Sequence, residues 1–260
     1  MNGKVELMIK KERLNWILEK LDKQAVITVN EIIKELGISD MTVRRDLAEL
    51  EKNNQLIRVH GGAQSIKLLD KQEKSNNEKH DLQVEEKKEI AKFASQLVTD
   101  GETIFIGPGT TLESLAKELT TRKIRIVTNS LPVFDILKDC ADIDLLLIGG
   151  EYRPITGAFV GSLASNNIQS LTFSKAFISA NAVFENAVAT YSEAEGLIQQ
   201  LALSKSIEKY LLIDNHKFDS YDFYVFYETR NFDCVITDSN ISKDKVDHYS
   251  QFTKINHASK

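Results

Sequence analysis

One segment of the sequence, Ser39–Leu50, combines side chains that could read a nucleic-acid groove. In a helix, Val43, Leu47 and Leu50 fall on one stripe and are expected to face a core. The opposite side then presents arginines, hydroxyl groups and compact apolar groups, supplied by Ser39, Met41, Thr42, Arg44, Arg45 and Ala48. Arginine binds guanine or phosphate, hydroxyl groups bind phosphate, and methyl groups contact thymine. The segment therefore predicts a DNA-reading helix.

The same arginines also fit a less specific interpretation. Neighbouring arginines on an exposed helix face can simply be solvated, with Asp46 and Glu49 as their partners. Helix-turn-helix geometry also occurs in scaffold and dimerisation domains that bind no DNA. Both interpretations expose the arginine side of the helix, and they differ in what that side contacts.

The preceding elements fit a helix-turn-helix. Periodicity predicts a first helix over residues 8–21, a short strand over 26–29 and a second helix over 30–36. Gly37 would end the second helix, because glycine tolerates the left-handed conformation beyond a helix C-terminus. Ser39 can cap the third helix. A short helix, a turn and an exposed helix are the parts that this motif requires.

A strand-like stretch after the third helix predicts a wing. Residues 55–60 are rich in strand-forming side chains and stop at Gly61-Gly62. The resulting hairpin would carry Arg58 and His60 close to the DNA backbone. Three helices and one hairpin would thus form a small binding domain.

A second set of polar residues follows five expected strands farther along the chain. These clusters are Gly107-Pro-Gly-Thr-Thr111, Thr128-Asn-Ser130, Gly149-Gly150, Ser179-Ala-Asn181 and Asp214-Asn-His-Lys217. In an open parallel sheet, ligands bind outside the carboxyl ends of the strands. The clusters therefore predict a single ligand crevice.

The first of these clusters precedes a helix and could hold a phosphate. Its backbone amides, the helix N-terminus and the hydroxyl groups of Thr110 and Thr111 suit an anion. Lys217 and Lys87 could add positive charge. The alternative is that Gly-Pro-Gly is only a tight turn and Thr110 only a helix cap. The cluster matches neither a dinucleotide fingerprint nor a nucleotide P-loop.

The elements that would position this crevice alternate from residue 84 onward. Strands are expected over 103–106, 124–127, 145–148, 176–178, 210–213 and 234–236. Helices are expected over 85–98, 112–119, 132–140, 163–170 and 193–209. Short apolar strands that alternate with helices predict a parallel sheet covered on both faces. Residues 221–227 are expected to form a further strand that packs on the core.

The charge of the chain is divided unevenly. The 260 residues carry a net charge of −5, which taken whole argues against nucleic acid. Residues 1–66, however, hold 11 basic and 10 acidic groups, whereas residues 67–260 hold 22 and 28. The acidity therefore does not exclude DNA binding by the smaller part. We expect a DNA-binding domain over 1–66, a polar linker over 67–83 and an α/β domain over 84–260.

Other features of the composition exclude several classes of protein. No apolar run approaches the roughly 18 residues of a membrane span, and no secretory signal begins the chain. Cys140 and Cys234 match no metal or redox spacing, and the five histidines are scattered. These features predict a reduced, cytoplasmic protein without a metal, a cofactor or a membrane partner.

Together these motifs resemble the DeoR family of bacterial transcription repressors. The resemblance is carried by Arg13, by Ser39-Asp-Met-Thr-Val-Arg-Arg-Asp-Leu47 and by His60-Gly-Gly62. It implies a winged helix-turn-helix, with its motif from about Ile27 to Asp46, joined to a sensor domain that resembles ribose-phosphate isomerases. It further implies a homo-oligomer that binds operator DNA and is released by a phosphorylated sugar. Met8 becomes an alternative start of the chain.

The resemblance also covers the crevice. Residues with an implied effector-binding role are Lys87, Gly107, Gly109, Thr110, Thr111, Asn129, Gly150, Asn181, Asp214 and Lys217. Many family members carry Ala-Asp-Gly where this chain has Ala180-Asn181-Ala182. With this substitution, with Gly107-Pro-Gly-Thr-Thr111 and with residues 200–214, the chain resembles a subgroup that controls lactose and galactose breakdown and responds to tagatose 6-phosphate. The resemblance therefore implies tagatose 6-phosphate as the inducer.

A competing hypothesis is a sugar-phosphate isomerase with an accessory DNA-binding module. Isomerisation needs a positioned base that moves a proton between carbons. Asn181 cannot act as a carboxylate base, although Asp214 remains. We expect a regulator that has no catalytic residue and is not an enzyme.

Overall fold

The structure is a computed structural model that describes residues 8–24, 26–59, 61–66 and 73–257. Its contacts divide the chain into two compact units, Met1–Gln72 and Glu73–Lys260. The expectations for His60 and for residues 67–72 lie outside the described residues. The second unit begins at residue 73, whereas the sequence pattern predicts a linker as far as residue 83.

The described part of the smaller unit contains three helices and a three-stranded antiparallel sheet. Its elements are α1 Lys10–Gln24, β1 Val26–Thr28, α2 Val29–Leu36, α3 Asp40–Lys52, β2 Leu56–Val59 and β3 Gly62–Ser65. Strand β3 lies between β1 and β2 and pairs with both. The β2–β3 hairpin is the predicted wing, and β1 attaches it to the helices.

The apolar stripe predicted for α3 faces the core of this unit. Val43, Leu47 and Leu50 are buried, and they pack in one cluster with Ile17 from α1 and Leu56 from β2. Because this stripe is fixed against the core, the opposite face of α3 must point to solvent.

Local hydrogen bonds fix both ends of the short helix α2. The Thr28 hydroxyl accepts from the Glu31 N–H at 2.9 Å, and the Glu31 carboxylate accepts from the Thr28 N–H at 2.7 Å. At the other end, Gly37 has a φ of 64° and donates its N–H to the Ile33 carbonyl. Gly37 therefore ends α2 as predicted.

The described part of the larger unit is built around a seven-stranded parallel sheet. The strands of this sheet are β4 Thr103–Ile106, β5 Arg125–Thr128, β6 Asp144–Leu147, β9 Phe173–Ile178, β12 Ser206–Leu212, β14 Cys234–Thr237 and β15 Ile255–His257. Two smaller antiparallel sheets contain β7 Glu151–Arg153 with β8 Ala158–Val160, and β10 Ala182–Phe184 with β11 Ala187–Thr190 and β13 Tyr224–Glu228.

Helices cover the parallel sheet. They are α4 Asn76–His80, α5 Val84–Ser95, α6 Thr110–Glu118, α7 Leu131–Leu137, α8 Gly161–Gln169, α9 Glu193–Ser204 and α10 Lys243–Tyr249, with 3₁₀ turns at Asn215–Lys217 and Thr229–Asn231. Two separate apolar clusters, one around Phe105 and Ile178 and the other around Ile104 and Ile106, bury side chains that alternate along the strands. Alternate strand residues point to opposite faces, so the sheet is covered on both faces as predicted.

The strand order of the parallel sheet contains a reversal. The order is β15-β14-β12-β9-β4-β5-β6, so the chain moves outward from β4 to β6 and then returns to β9. Loops that leave β4 and β9 diverge at this point. The carboxyl ends of these two strands therefore border the crevice in which such sheets bind ligands.

The boundaries of two predicted elements differ from the sequence prediction. The helix expected over 193–209 ends at Ser204, and β12 begins at Ser206, where it pairs with Phe173 of β9. Parallel pairing with β9 outweighs the local helical pattern at this point. The strand expected over 221–227 begins only at Tyr224, but its Phe226 is buried in the core as expected.

Residues 73–83 belong to the larger unit and do not form a simple linker. Asn76 is buried, and its side-chain amide donates to the Thr156 carbonyl at 2.9 Å and to the Glu113 carboxylate at 3.1 Å. Its backbone N–H donates to the Ile155 carbonyl at 2.8 Å. The polar composition of this segment thus serves internal hydrogen bonds. Among the described residues, no helix is long and apolar enough to cross a membrane.

Candidate functional site

The exposed face of α3 carries the residues predicted to read DNA. Met41 is 81% exposed, Arg44 and Arg45 are exposed, and Thr42 and Ala48 are half-buried. A large apolar side chain that is so exposed contributes little to the stability of the fold. The structure brings these five side chains together on the face opposite the buried stripe.

The two arginines on this face differ in their contacts. Arg44 binds Asp40 through Nε–Oδ1 at 2.6 Å and Nη2–Oδ2 at 3.1 Å, one helical turn apart. Its guanidinium lowers the pKa of the Asp40 carboxyl. Arg45 forms no ion pair within the described residues. Arg45 can therefore contact DNA directly, whereas Arg44 must first leave Asp40.

Ser39 and Thr42 form the N-terminal cap of α3. The Ser39 hydroxyl accepts from the Thr42 N–H at 3.3 Å and lies 2.9 Å from the Thr42 hydroxyl. Capping is thus one role that these residues have in the fold. The positive end of the helix dipole lies at the same place and favours a phosphate there.

The wing arginine is already partly neutralised. Arg58 on β2 donates its backbone N–H to Glu51 at 3.1 Å, and its guanidinium lies 3.8 Å from the same carboxylate. The other predicted wing residue, His60, lies outside the described residues. Arg58 can meet a phosphate only in competition with Glu51.

An ion pair inside the smaller unit replaces a contact that the sequence suggested. Asp46 is fully buried and binds Arg13 of α1 at 2.8 Å and 3.1 Å, so it does not partner the exposed arginines. Hydrogen bonding to Asp46 raises the pKa of Arg13. Both residues lie in the motif that resembles the repressor family, but only the structure shows that they join α1 to α3.

The predicted crevice lies at the switch point of the larger unit. Gly109 has a φ of 128°, which favours glycine, and it leads into α6 after β4. Thr110 and Thr111 occupy the first turn of α6 and are buried. Asp214 follows β12, is buried, and accepts from the His216 N–H at 3.1 Å. The first turn of a helix and buried polar groups therefore meet at one end of the sheet.

Three lysines converge at this end, of which the sequence patterns singled out only two. Lys87 of α5 is buried and donates its Nζ to the main-chain carbonyl of Lys79 at 2.5 Å. Burial lowers the pKa of Lys87, and the charges of Lys217 and Lys79 lower it further, while Asp214 raises it. Lys79 donates to Asn181 at 3.2 Å. The crevice is thus locally cationic.

Asn129 is held by the fold and leaves one acceptor unused. It is fully buried, its amide donates to the Phe159 carbonyl at 2.9 Å, and its own carbonyl accepts from the Phe159 N–H at 2.7 Å. Its side-chain oxygen has no hydrogen-bond partner in the structure. A buried acceptor of this kind is costly unless a ligand or water satisfies it.

Two predicted glycines have packing roles. A Cβ on Gly150 would lie 2.4 Å from the Val160 carbonyl oxygen, so the backbones approach too closely for a side chain. Gly107 donates its N–H to the Phe177 carbonyl at 3.0 Å and ties the end of β4 to β9. The structure thus gives both glycines a role in packing, and their predicted contact with an effector stays a prediction.

A buried hydrogen-bond network lies beside Lys79, and the sequence patterns do not predict it. Arg153 of β7 binds Glu195 at 3.0 Å, Glu73 at 2.5 Å and the Ser192 hydroxyl at 3.1 Å. Burial raises the pKa of Glu195, while the charge of Arg153 opposes this shift. No motif marks these residues, because they come from segments far apart in the sequence.

A cavity of about 250 Å³ lies between α5 and α6 and shares Lys87 and Thr110 with the crevice. Its buried Glu113 pairs with His80, with 3.2 Å between Oε2 and Nε2. Burial raises the pKa of Glu113, and the charges of His80, Lys117 and Lys87 oppose this shift. Across the described residues, no group of histidine, cysteine and carboxylate side chains could hold a metal ion.

The chain is similar to known regulators over both units. A DeoR-like helix-turn-helix domain matches residues 13–68, and a DeoR C terminal sensor domain matches residues 82–239. The lactose phosphotransferase system repressor of Lactococcus lactis subsp. lactis is 56% identical over 95% of this chain and 98% of that relative. The repressor of the same name from Streptococcus mutans serotype c is 44% identical over 95% and 99%.

Solved structures of ribose 5-phosphate isomerases overlap part of the chain. The enzyme from Neisseria gonorrhoeae has a TM-score of 0.39 and 20% identity, and covers 52% of this chain and 53% of its own. The enzyme from Methanocaldococcus jannaschii has a TM-score of 0.37 and 19% identity, with 51% and 53% covered.

The relatives found by sequence similarity distinguish between the two hypotheses, a regulator and an isomerase. The relatives that share almost the whole chain are repressors, and the helix-turn-helix domain is matched separately. The protein is therefore a regulator and not an enzyme, and the isomerase hypothesis is not supported. With a DNA-binding domain and a sensor domain matched in this order, the chain belongs to the DeoR family of transcriptional repressors.

Proposed function

We propose that this sugar-operon repressor controls lactose or galactose breakdown through the tagatose 6-phosphate pathway, and that tagatose 6-phosphate releases it from operator DNA. The observation that carries the proposal is the cationic crevice, in which three lysines meet beside the first turn of α6. The printed names of the relatives support the sugar class, since each is a lactose phosphotransferase system repressor.

On the DNA side, α3 enters the major groove and the wing lies along the backbone. Arg45 and Met41 face the base edges, because they are exposed and Arg45 has no ion pair within the described residues. Arg44 exchanges Asp40 for a phosphate or a base. We expect a homo-oligomer that reads two half-sites in the cytoplasm, as repressors with this motif do.

On the effector side, the phosphate lies against Lys87, Lys217 and the first turn of α6. The unused oxygen of Asn129 accepts from a sugar hydroxyl. Release from DNA requires that the sugar phosphate binds more tightly to the state with low operator affinity. The same ligand must therefore bind more weakly when operator DNA is present.

A mobility-shift titration tests this function. Operator DNA bound to the full chain is titrated with tagatose 6-phosphate, galactose 6-phosphate, fructose 6-phosphate and unphosphorylated tagatose. We expect release by tagatose 6-phosphate at the lowest concentration and no release by tagatose, because the lysines bind the phosphate. DNA binding that is indifferent to every phosphorylated hexose would refute the sensor, and stronger release by another phosphate would refute only the inducer.

A further inference from the structure

Lys79 occupies a position that no sequence motif marks. It lies on α4, in the segment expected to be a linker, and its side chain is half-buried. Its Nζ donates to Asn181 Oδ1 at 3.2 Å across 102 residues of sequence, and its main-chain carbonyl accepts from Lys87. The fold therefore adds a cation to the wall of the crevice.

The charge of Lys79 is not balanced by a close carboxylate. Burial lowers the pKa of Lys79, and the charge of Lys217 lowers it further. Glu73, Glu195 and Asp222 oppose this shift, but none of the three forms an ion pair with Lys79. Glu73 and Glu195 already bind Arg153. Within the described residues, no carboxylate forms an ion pair with Lys79.

A partly buried cation without a close counter-charge is costly, because it loses hydration and gains no ion pair. An anion placed between Lys79, Lys87 and Lys217 would remove that cost. We infer that Lys79 is a phosphate-binding residue of the effector crevice, and that the uncharged Asn181 keeps its charge available. This inference rests on the proposed function, since it assigns a further residue to the same site.

Asn181 is the residue that sets the charge of this part of the crevice. Its amide oxygen orients Nζ of Lys79 without neutralising it. An aspartate at the same place would lie at ion-pairing distance from Lys79 and lower the local charge by one. The substitution Asn181→Asp therefore tests the role of charge while it keeps the size and the hydrogen bond of the side chain.

The experiment measures the affinity of the full chain for tagatose 6-phosphate and for inorganic phosphate by calorimetry. A charge-assisted hydrogen bond contributes enough that Lys79→Gln should weaken both ligands about 10- to 100-fold. Asn181→Asp should weaken both about tenfold, and Lys79→Arg should bind more tightly than Lys79→Gln. Lys74→Gln is the matched control, because Lys74 is an exposed lysine of the same segment, and its affinities should equal those of the wild type.

The outcomes distinguish the proposed function from the role of Lys79. If the wild type binds no sugar phosphate, the proposed function is wrong. If the wild type binds but Lys79→Gln and Asn181→Asp bind equally well, only the role of Lys79 is wrong. A loss for tagatose 6-phosphate without a loss for inorganic phosphate would place Lys79 at the sugar and overturn the inference. Unchanged operator binding shows that a variant is folded, and if Lys79→Gln unfolds, Asn181→Asp decides the question.

Discussion

The two arginine–aspartate pairs made by α3 should differ in how far their loss lowers the free energy of unfolding. Asp46 is fully buried against Arg13, whereas Asp40 and Arg44 are both more than half exposed. Arg13→Met leaves a buried carboxylate without its partner, which costs about 3–5 kcal/mol of unfolding free energy. Arg44→Ala removes a solvated pair within one helix and costs only about 0.3–0.5 kcal/mol.

The single tryptophan makes the smaller unit measurable by itself. Trp16 lies on α1, is half-buried, and packs against the core that holds the α3 stripe. Urea unfolding followed by its fluorescence therefore reports on this unit. With a slope of about 1 kcal/mol per M, usual for small domains, Arg13→Met should lower the midpoint by about 3–5 M. Arg44→Ala should lower it by less than about 0.5 M.

A double variant and an operator titration complete this test. Arg13→Met with Asp46→Leu should recover much of the lost stability, because the unpaired buried charge is gone. Among folded proteins, Arg44→Ala should weaken operator binding more than Arg13→Met does, since Arg44 lies on the exposed face that we propose reads DNA and Arg13 does not. Equal urea midpoints for Arg13→Met and Arg44→Ala would refute the distinction between a buried and an exposed pair.

Three further predictions concern the remaining parts of the protein. Arg45→Ala should weaken operator binding by about 1–3 kcal/mol in a mobility shift, whereas the exposed Arg230→Ala should leave it unchanged; equal affinities would remove Arg45 from the reading face. Lys217→Ala should keep operator binding but require a higher tagatose 6-phosphate concentration for release, and a normal response would contradict its phosphate role. Gly150→Ala should lower the stability of the larger unit by about 1–3 kcal/mol in thermal unfolding, because its Cβ would clash with the Val160 carbonyl, and an unchanged midpoint would contradict this.

Much of the fold could be predicted because it depends on local periodicity. The burial of Val43, Leu47 and Leu50 follows from helical spacing, and the end of α2 follows from the left-handed freedom of Gly37. The polar clusters after the strands share one end of the sheet because parallel strands all point the same way. The ends of elements depend also on distant partners: β12 begins within the expected helix because its partner β9 comes from another part of the chain.

The contacts that the sequence could not predict all join distant segments. The sequence does not show that Asp46 binds Arg13 instead of the neighbouring arginines of α3, because either pairing is compatible with the helical pattern. The polar composition of residues 73–83 likewise predicts a linker and gives no sign that Asn76 is buried. The hydrogen-bond partners of Asn76 lie 37 and 80 residues away in the sequence. Hydrogen bonds of this kind are set by where the backbone places the donor and the acceptor.

The sequence by itself determined the order of the two domains, the exposed face of α3 and the polar edge of the parallel sheet. These features depend on residue type and on spacings of a few residues, which local geometry converts directly into faces and ends. Only the tertiary structure decided which charges are paired and which remain available. Lys79 meets Asn181 and not a carboxylate because folding brings α4 to the loop after β9, and electrostatic energy depends on that distance.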